Sequence, residues 1–599
     1  MDTILLTGLF AAFFTTFAFA PQSIKTIRTR NTEGISVVMY IMFLTGVISW
    51  IAYGIMRSDF AVLIANIVTL FLAAPVLVIT LINRRKKTRM NIAIIGAGPA
   101  GIISARNAIK AGHSVVLFEK NTRIGGIWTP WSGGAYRNAC MQNSRYTFHY
   151  TGFPPGDIDE FPGVEQVFRY LSAVAGEDAL RESTRLNTEV VSLRKDAGHW
   201  VIRCASEGKD TEDIFDRVII ATGELWQPRR PPLPGEENFS GTLITSRDYQ
   251  EPEAFKGKNI LIIGGGVSGA DIASDLVPFA RSVSLSVKKM GLYLPRQFPT
   301  GPNDMMHSYL GRCLLSQMNY EDFIGYLDTM MPDYMQAYRA SGLLPDMANN
   351  NAVHVNEKII PNVAAGLIKV KPLAERFTGE GAIEFVDASQ EKYDVIITCT
   401  GYEMPDYSFI QGFDRTQLYE HFFWTEDPSL AVINPPVDTA GFGAAFPYFD
   451  IISQWVMNVF SGKTSLPEKE AMRKWCAEHM ASLHVKRFYD SWLETIRIGL
   501  LSGLLPDPAR DFSRYWNIIS SMVKPAYLAT PPAFPEHGMM DSLFDFRIAR
   551  IRILSGLGND ALGYLLKKGD ITDAEYRAAL EIDPRQSISV HLPYSQTYL

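Results

Sequence analysis

One arrangement occurs twice in this chain and restricts its fold more than any other feature: an apolar strand, a glycine-rich turn, a helix and a second strand. In the first copy Asn91 to Ile95 reads as a buried strand and Gly96-Ala97-Gly98-Pro99-Ala100-Gly101 as the turn. A helix then runs to Ala111, and the strand Val115 to Phe118 ends at Glu119. In the second copy Asn259 to Ile263, Gly264-Gly265-Gly266-Val267-Ser268-Gly269, Ala270 to Leu276 and Val283 to Val287 repeat the order, with Lys288-Lys289 where the first has its acid. Glycines in such a turn let backbone approach a pyrophosphate at a helix N-terminus, where free N–H groups and the helix dipole favour an anion. An acid at the next strand end suits free ribose hydroxyls, whereas two ammonium groups suit a 2′-phosphate. The pattern predicts an α/β chain with two Rossmann-like units. FAD is expected at Gly96, Gly98, Pro99, Ala100, Gly101 and Glu119, with Lys120 beside it. NADPH is expected at Gly264, Gly266, Ser268, Gly269, Lys288 and Lys289, a solvated strand end being the alternative for the lysines.

The first ninety residues are built differently. Three apolar runs, Ile4 to Ala20, Ile35 to Met56 and Phe60 to Ile82, are long enough to cross about 30 Å of hydrocarbon, the first only just. The first lacks a basic leader and is followed by Pro21-Gln22, which argues against a cleaved signal. Nine Lys and Arg against Asp2, Glu33 and Asp59 give this part +6, leaving −12 on the rest of a chain whose total is −6. Lys25, Arg28 and Arg30 follow the first run, Arg57 the second, and five basic residues lie in Arg84 to Arg89. The positive-inside rule then puts the N-terminus outside and everything after the third span in the cytoplasm, as a multi-pass inner-membrane protein. Within the spans Trp50 and Asn66 offer an aromatic face and a carboxamide, a pair suited to a sugar ring; an interface anchor and a helix-gluing amide are the alternatives.

Composition excludes other classes. With 10 Trp, 25 Tyr and 34 Phe against 46 Gly and 34 Pro, the chain is neither collagen-like nor disordered. Its negative charge argues against a nucleic-acid partner. Five scattered cysteines form no C-x-x-C pair and no zinc spacing, which predicts reduced thiols, no metal and no dithiol redox chemistry.

Residues 1 to 87 resemble a SemiSWEET, the half-size PQ-loop sugar transporter, of enterobacterial type. Phe19-Ala20-Pro21-Gln22, Thr32-Glu33-Gly34-Ile35-Ser36, Trp50 and Asn66 carry the resemblance. It implies a three-helix bundle that works as a homodimer around one small sugar bound by Trp50 and Asn66. It also implies a hinge at Pro21, outer-gate residues Tyr53, Arg57 and Asp59, and inner-gate residues Phe19, Met39 and Tyr40.

From about 90 to 475 the chain resembles the flavin-containing monooxygenases. The motifs are Gly125-Gly126-Ile127-Trp128, Ala221-Thr222-Gly223, the run Phe239 to Tyr249, Thr400-Gly401-Tyr402 and Leu466-Pro467 through Met472. Thr245 stands where the family fingerprint has His, and Tyr249 ends it where Baeyer–Villiger members have Trp, which leans towards heteroatom oxygenation. The resemblance implies cofactor contacts from Gly126, Trp128, Thr222, Gly223, Thr400, Gly401, Tyr402 and Gln454. It implies a C4a-hydroperoxyflavin that passes one oxygen to an amine or sulfide, aided by Gln142, Asn143 and Tyr249. Molecular oxygen and a small nucleophilic substrate are the implied partners. An oxidase that releases hydrogen peroxide, with the spans serving only as anchor or dimeriser, is the alternative. Loop amides satisfied by backbone and a buried helix face are the alternatives for Gln142 and Gln454.

The domains expected are a transmembrane module at 1–87, a join at 88–90 and an FAD domain at 91–228 and 376–500. An NADPH domain at 229–375 interrupts it, and a helical extension occupies 501–599. Met305 to Met347 reads as helical, either a cover over the nicotinamide cleft or core packing. The eight residues between Ile82 and Asn91 reach at most about 28 Å even if fully extended, which sets the enzyme against the inner membrane surface, and Met90 resembles a former initiator of a second gene.

Overall fold

A computed structural model describes residues 10, 13–14, 17–18, 20–29, 35–131, 134–176, 178–206, 208–288, 291–345, 353–378, 381–434, 439–442, 445–479 and 487–592. Contacts divide the chain into two units, residues 1–90 with 112–114, and residues 91–111 with 115–599.

In the first unit, helices α1 (Ala20–Thr29), α2 (Val37–Arg57) and α3 (Phe60–Thr88) follow one another. Ser36 caps α2 by accepting from the Met39 amide at 3.3 Å. The turn into α3 is made by Ser58 in the left-handed region, φ 56°, and by the Asp59 carboxylate, which accepts from the Ala61 and Val62 amides at 3.1 Å. Gly54 permits the close return, since a Cβ there would lie 3.1 Å from the Leu63 nitrogen. Tyr40, Leu44, Ala73 and Val76 form the small core, and the Ser23 hydroxyl donates to the Leu72 carbonyl at 2.8 Å, tying α1 to α3. Among the described residues two helices, α2 and the Phe60–Leu81 part of α3, are long and apolar enough to cross a membrane.

Helix extends past the apolar runs at two places. The chain after Ala20 is helical to Thr29, with Pro21 in the first turn, where its missing N–H costs nothing. After Ile82 the chain stays helical to Thr88, since the basic residues there are good helix formers; only Arg89 and Met90 precede the next strand. Most of the first apolar run, with Phe19, lies outside the described residues.

The second unit is organised by two sheets, the second parallel throughout and the first parallel except at one edge. In the first, β1 (Asn91–Ile95) pairs on one side with β2 (Ser114–Phe118), which follows the helix α4 (Pro99–Lys110), and on the other with β3 (Arg217–Ile220). In the second, β5 (Asn259–Ile263) lies between β6 (Ser282–Ser286) and β8 (Val395–Thr398), with β4 (Thr242–Thr245) and β7 (Ile368–Lys371) at the edges. The helix α5 (Val267–Leu276) joins β5 to β6, as α4 joins β1 to β2. Strand β9 (Leu430–Val432) then returns to the first sheet beside β3, and α6 (Ala445–Phe460) packs over α4.

The end of the inserted domain therefore moves from about 375 to about 400. Val395 to Thr398 is apolar on both faces because it pairs with β5 and β4 at once, a central parallel strand of the second sheet. The chain between 305 and 347 is helical, as expected, at Tyr309–Leu315, Tyr320–Met330 and Pro332–Ala340. Met306, Met330, Met331 and Met335 join the core around β5, β6 and α5.

The C-terminal extension is fastened to that cover. The Met540 amide donates to the Met306 carbonyl at 2.8 Å, and the buried Asp541 carboxylate accepts from the Ser308 and Gly538 amides. Arg312 and Asp490, both buried, pair at 2.9 Å. Arg312→Leu leaves that carboxylate in a low-dielectric site without its cation, so we expect a loss of about 3 kcal/mol of unfolding free energy, read from urea titration of the full chain in detergent.

Candidate functional site

The two glycine turns agree in detail. Gly96 has φ +100° and Gly264 φ +114°; a Cβ would meet the Ala221 carbonyl oxygen at 2.4 Å in the first and that of Cys399 at 2.3 Å in the second. Gly101 and Gly269 cross the start of their own turns, where a Cβ would lie 1.8 Å from the Gly96 oxygen and 1.9 Å from the Gly264 oxygen. Each turn is closed by the second strand, with the Gly96 amide donating to Phe118 at 2.8 Å and the Gly264 amide to Ser286 at 2.9 Å. Gly98 and Gly266 each cap the following helix in extended backbone. A Cβ at Gly98 would meet only the Gly126 Cα, at 3.7 Å, and one at Gly266 nothing within 4 Å, so the outer face of each turn admits another group. Pro99 and Ala100 open α4, and Ser268 lies in the first turn of α5, where the N–H groups have no partner within the helix.

The loop carrying Gly125-Gly126-Ile127-Trp128 lies directly on the first turn. The Gly125 amide donates to the Ala97 carbonyl at 2.8 Å, and a Cβ at Gly126 would come within 3.0 Å of the Gly98 Cα. Trp128 ends a single 3-10 turn and is half-buried. Glu119 is buried and accepts from the Ala97 amide at 2.8 Å and from the Asn121 backbone and side chain at 2.9 and 2.7 Å. Lys120 is exposed with its ammonium 5.3 Å from the Trp226 ring centre, and Arg247 covers that ring at 3.9 Å. Lys288 is exposed just past β6; Lys289 lies outside the described residues.

Thr222 and Gly223 follow β3 as Thr400 and Gly401 follow β8, which explains why both motifs end a strand: the carbonyl before each faces the first glycine of a turn. Asn434, just after β9, fastens the first pair by accepting from the Gly223 amide at 3.0 Å and donating to the Thr222 hydroxyl at 3.3 Å. The second pair joins the crossover between the sheets. The Arg229 amide donates to Gly401 at 2.9 Å, the Thr400 hydroxyl donates to the Arg229 carbonyl, and Tyr402 bridges Pro228. The Glu403 amide adds a bond to Gln227 at 2.7 Å.

Gln142 and Asn143 lie half-buried on an irregular loop, and no hydrogen bond of either carboxamide is found among the described residues. The Gln454 amide donates to Asp450 at 2.9 Å. Asp450 is buried and also accepts from the Thr151 amide and hydroxyl and from Asn107 of α4, so one carboxylate joins the loop, α4 and α6. Neither Asp450 nor Asn434 stands out in the sequence, because each works through partners hundreds of residues away. Tyr249 is fully buried, its hydroxyl donating to Asp275 at 2.6 Å and its ring stacked on Phe255, so it supports α5 without reaching a ligand surface. Thr245 bonds locally, donating to the Asp248 carboxylate through its amide and hydroxyl.

None of the five cysteines forms a disulfide, and burial pushes the Cys204 and Cys476 thiols up to about 11 and those of Cys313 and Cys399 up to about 12. Their thiolates are scarce at neutral pH. No group of three or more His, Cys, Asp or Glu able to hold a metal occurs among the described residues.

In the first unit Trp50 is exposed with its ring edge-on to Tyr53 at 5.4 Å, and Asn66 is half-buried, donating to the Val62 carbonyl of its own helix at 2.8 Å. Tyr40 is buried, while Met39, Tyr53, Arg57 and Pro21 are exposed. Asp59 serves as the cap of α3.

The turn geometry yields a graded expectation. Gly269→Ala forces a Cβ into the Gly264 carbonyl and should prevent folding of the second sheet. Gly266→Ala, with open space around it, should leave thermal unfolding within about 1 kcal/mol of wild type while weakening NADP+ binding measured by calorimetry.

A family model described as flavin-binding monooxygenase-like matches residues 89–524, and one described as a PQ loop repeat matches residues 4–63. Human flavin-containing monooxygenase 5 is 30% identical over 444 residues, covering 68% of this chain and 80% of the relative. The S-allyl-L-cysteine S-oxygenase of Allium sativum superposes with TM-score 0.51 and 22% identity over 69% of this chain and 89% of that one. A cyclohexanone monooxygenase from Rhodococcus sp. Phi1, solved bound to NADP+, gives TM-score 0.51 and 16% identity over 64% and 88%. The chain thus belongs to the flavin-binding monooxygenase-like family, whose enzymes depend on FAD and NADPH, and it carries a PQ-loop repeat and apolar helices of a membrane-associated kind ahead of its enzyme portion.

Proposed function

We propose that this protein oxygenates a small soft nucleophile, an amine or a sulfide, at the expense of NADPH and O2, with FAD on the first glycine turn and NADPH on the second. The observation that carries the reading is the doubled turn, alike to within 0.1 Å in its closest approaches, with an acid after one copy and a lysine after the other. The flavin, when bound, supplies the reaction with oxygen and the transfer of one oxygen atom. The chain supplies position. Open N–H groups at the starts of α4 and α5 receive the pyrophosphates, Glu119 accepts ribose hydroxyls, and Lys288 pairs with the 2′-phosphate, which a carboxylate would repel. Thr222 and Gly223, held by Asn434, and Thr400 and Gly401 border the two cofactors. Gln142 and Asn143, whose carboxamides have no hydrogen bond among the described residues, would serve the flavin's reaction with oxygen, and Tyr249 positions α5 from behind.

The N-terminal module is proposed as a SemiSWEET-type bundle that holds the enzyme at the inner membrane, multi-pass and with its N-terminus outside. As a homodimer it would pass a small sugar by Trp50 and Asn66, with Pro21 as hinge. Phe19, Met39, Tyr40, Tyr53, Arg57 and Asp59 are its proposed gate residues. The exposed Trp50 ring supports a site completed by a second copy.

The deciding experiment is an electron count on the purified chain: NADPH consumed, hydrogen peroxide released and oxygenated product formed with a thioether and with a tertiary amine. Product matching most of the NADPH is expected; peroxide matching all of it, with either acceptor, would establish the oxidase instead. Lys288→Ala should raise the KM for NADPH about tenfold and leave that for NADH nearly unchanged, as expected for one lost phosphate contact.

A further inference from the structure

Gln142 and Asn143 sit on a loop without regular structure, so their carboxamides keep one direction only if the loop is gripped from outside. On one side the Met141 amide donates to Pro162 at 2.9 Å and the Arg145 amide to Glu160 at 2.7 Å. On the other side two side chains reach in from the segment after β6. Arg296, 8% exposed, donates from Nε to the Met141 carbonyl at 3.3 Å. Its Nη1 bonds both Glu357 oxygens at 2.8 and 2.6 Å, and Nη2 lies 3.8 Å from Asp271 on α5. Asp304, 2% exposed, accepts the Ser144 amide at 2.6 Å and the Thr147 hydroxyl through Oδ2. The two anchors are fixed to each other, since the Asn303 amide donates to the Arg296 carbonyl at 2.8 Å.

The carbonyl just before Gln142 and the amide just after Asn143 are thus both held by one short segment, 296–304, of the second sheet's covering layer. Asp304 is an uneconomical choice for packing alone. Burial raises its pKa, and its two clear hydrogen bonds, from the Ser144 amide and the Thr147 hydroxyl, both fall on Oδ2. A buried carboxyl left half-satisfied calls for a reason beyond stability, and gripping the loop supplies one.

We propose that Asp304 and Arg296 are positioning residues of the oxygenation site, a two-point clamp by which the NADPH-side sheet aims the Gln142 and Asn143 carboxamides at the flavin. The inference rests on the reading of those carboxamides given under Proposed function. It makes the fate of oxygen depend on residues that touch neither cofactor nor substrate.

The test joins amide hydrogen exchange of the full chain in detergent, which needs no cofactor, with the electron count. In Asp304→Ala the Ser144 amide should exchange about tenfold faster, the effect of one lost charge-assisted bond. The share of NADPH electrons released as peroxide should rise several-fold, with product falling in step. Thr147→Val keeps shape and removes one donor; it should move both readouts the same way by less, and it serves if Asp304→Ala does not fold. Unchanged Ser144 exchange in both variants would overturn the clamp, as would faster exchange with an unchanged peroxide share. A wild type that already releases every electron as peroxide overturns the oxygenation reading itself, and the aiming role falls with it; a wild type that forms product separates the two.

Discussion

Everything in the enzyme portion depends on a contact that only glycine permits: the turn after a central strand pressed against the carbonyl that ends its neighbour. At Gly96 and Gly264 the missing side chain lets backbone approach the Ala221 and Cys399 oxygens to a distance no Cβ tolerates. That approach sets where the following helix begins. Helix position fixes the direction of the free N–H groups, and hence the place where a dinucleotide's charge is best neutralised. The strand-end motifs and the glycine turns, far apart in sequence, are two halves of one contact in each sheet.

Around these two contacts the remaining polar groups act as ties between distant segments. Asn434 links the returning strand β9 to Thr222 and Gly223, Asp450 links α6 to α4 and the Thr151 loop, and Asp541 links the C-terminal extension to the cover over the second sheet. Each tie is buried, so each costs more to break than it contributes when made. The extension after residue 500 thereby becomes part of the second sheet's support.

What could be read in the sequence follows from how local the physics is. The glycine turns, the strands beside them, the helices between 305 and 347 and the apolar runs α2 and α3 are written in short-range pattern, and the chain adopts them. The expected boundary at 375 falls short of the observed one near 400 because Val395 to Thr398 could belong to either sheet, and only pairing with both β4 and β5 decides it. The helical continuation of α3 to Thr88 was hidden because hydropathy marks where a span leaves apolar surroundings and says nothing about where its helix stops. Asn434, Asp450 and Asp304 were invisible for a third reason: single polar residues acquire meaning from partners that folding brings to them. Tyr249 was legible as a motif and illegible as a role, since a fingerprint does not distinguish a residue that meets a ligand from one that braces a helix.

The connection between the two sheets carries a mechanical consequence. The outgoing segment at Gln227 to Arg229 and the incoming one at Gly401 to Glu403 are bonded to each other through one bridge and its flanking backbone bonds, so the crossing behaves as a narrow ribbon. A ribbon bends readily across its thin dimension and resists shear and torsion. Any opening of the second sheet away from the first would thereby be channelled into a swing about one axis, as a strap hinge confines a door.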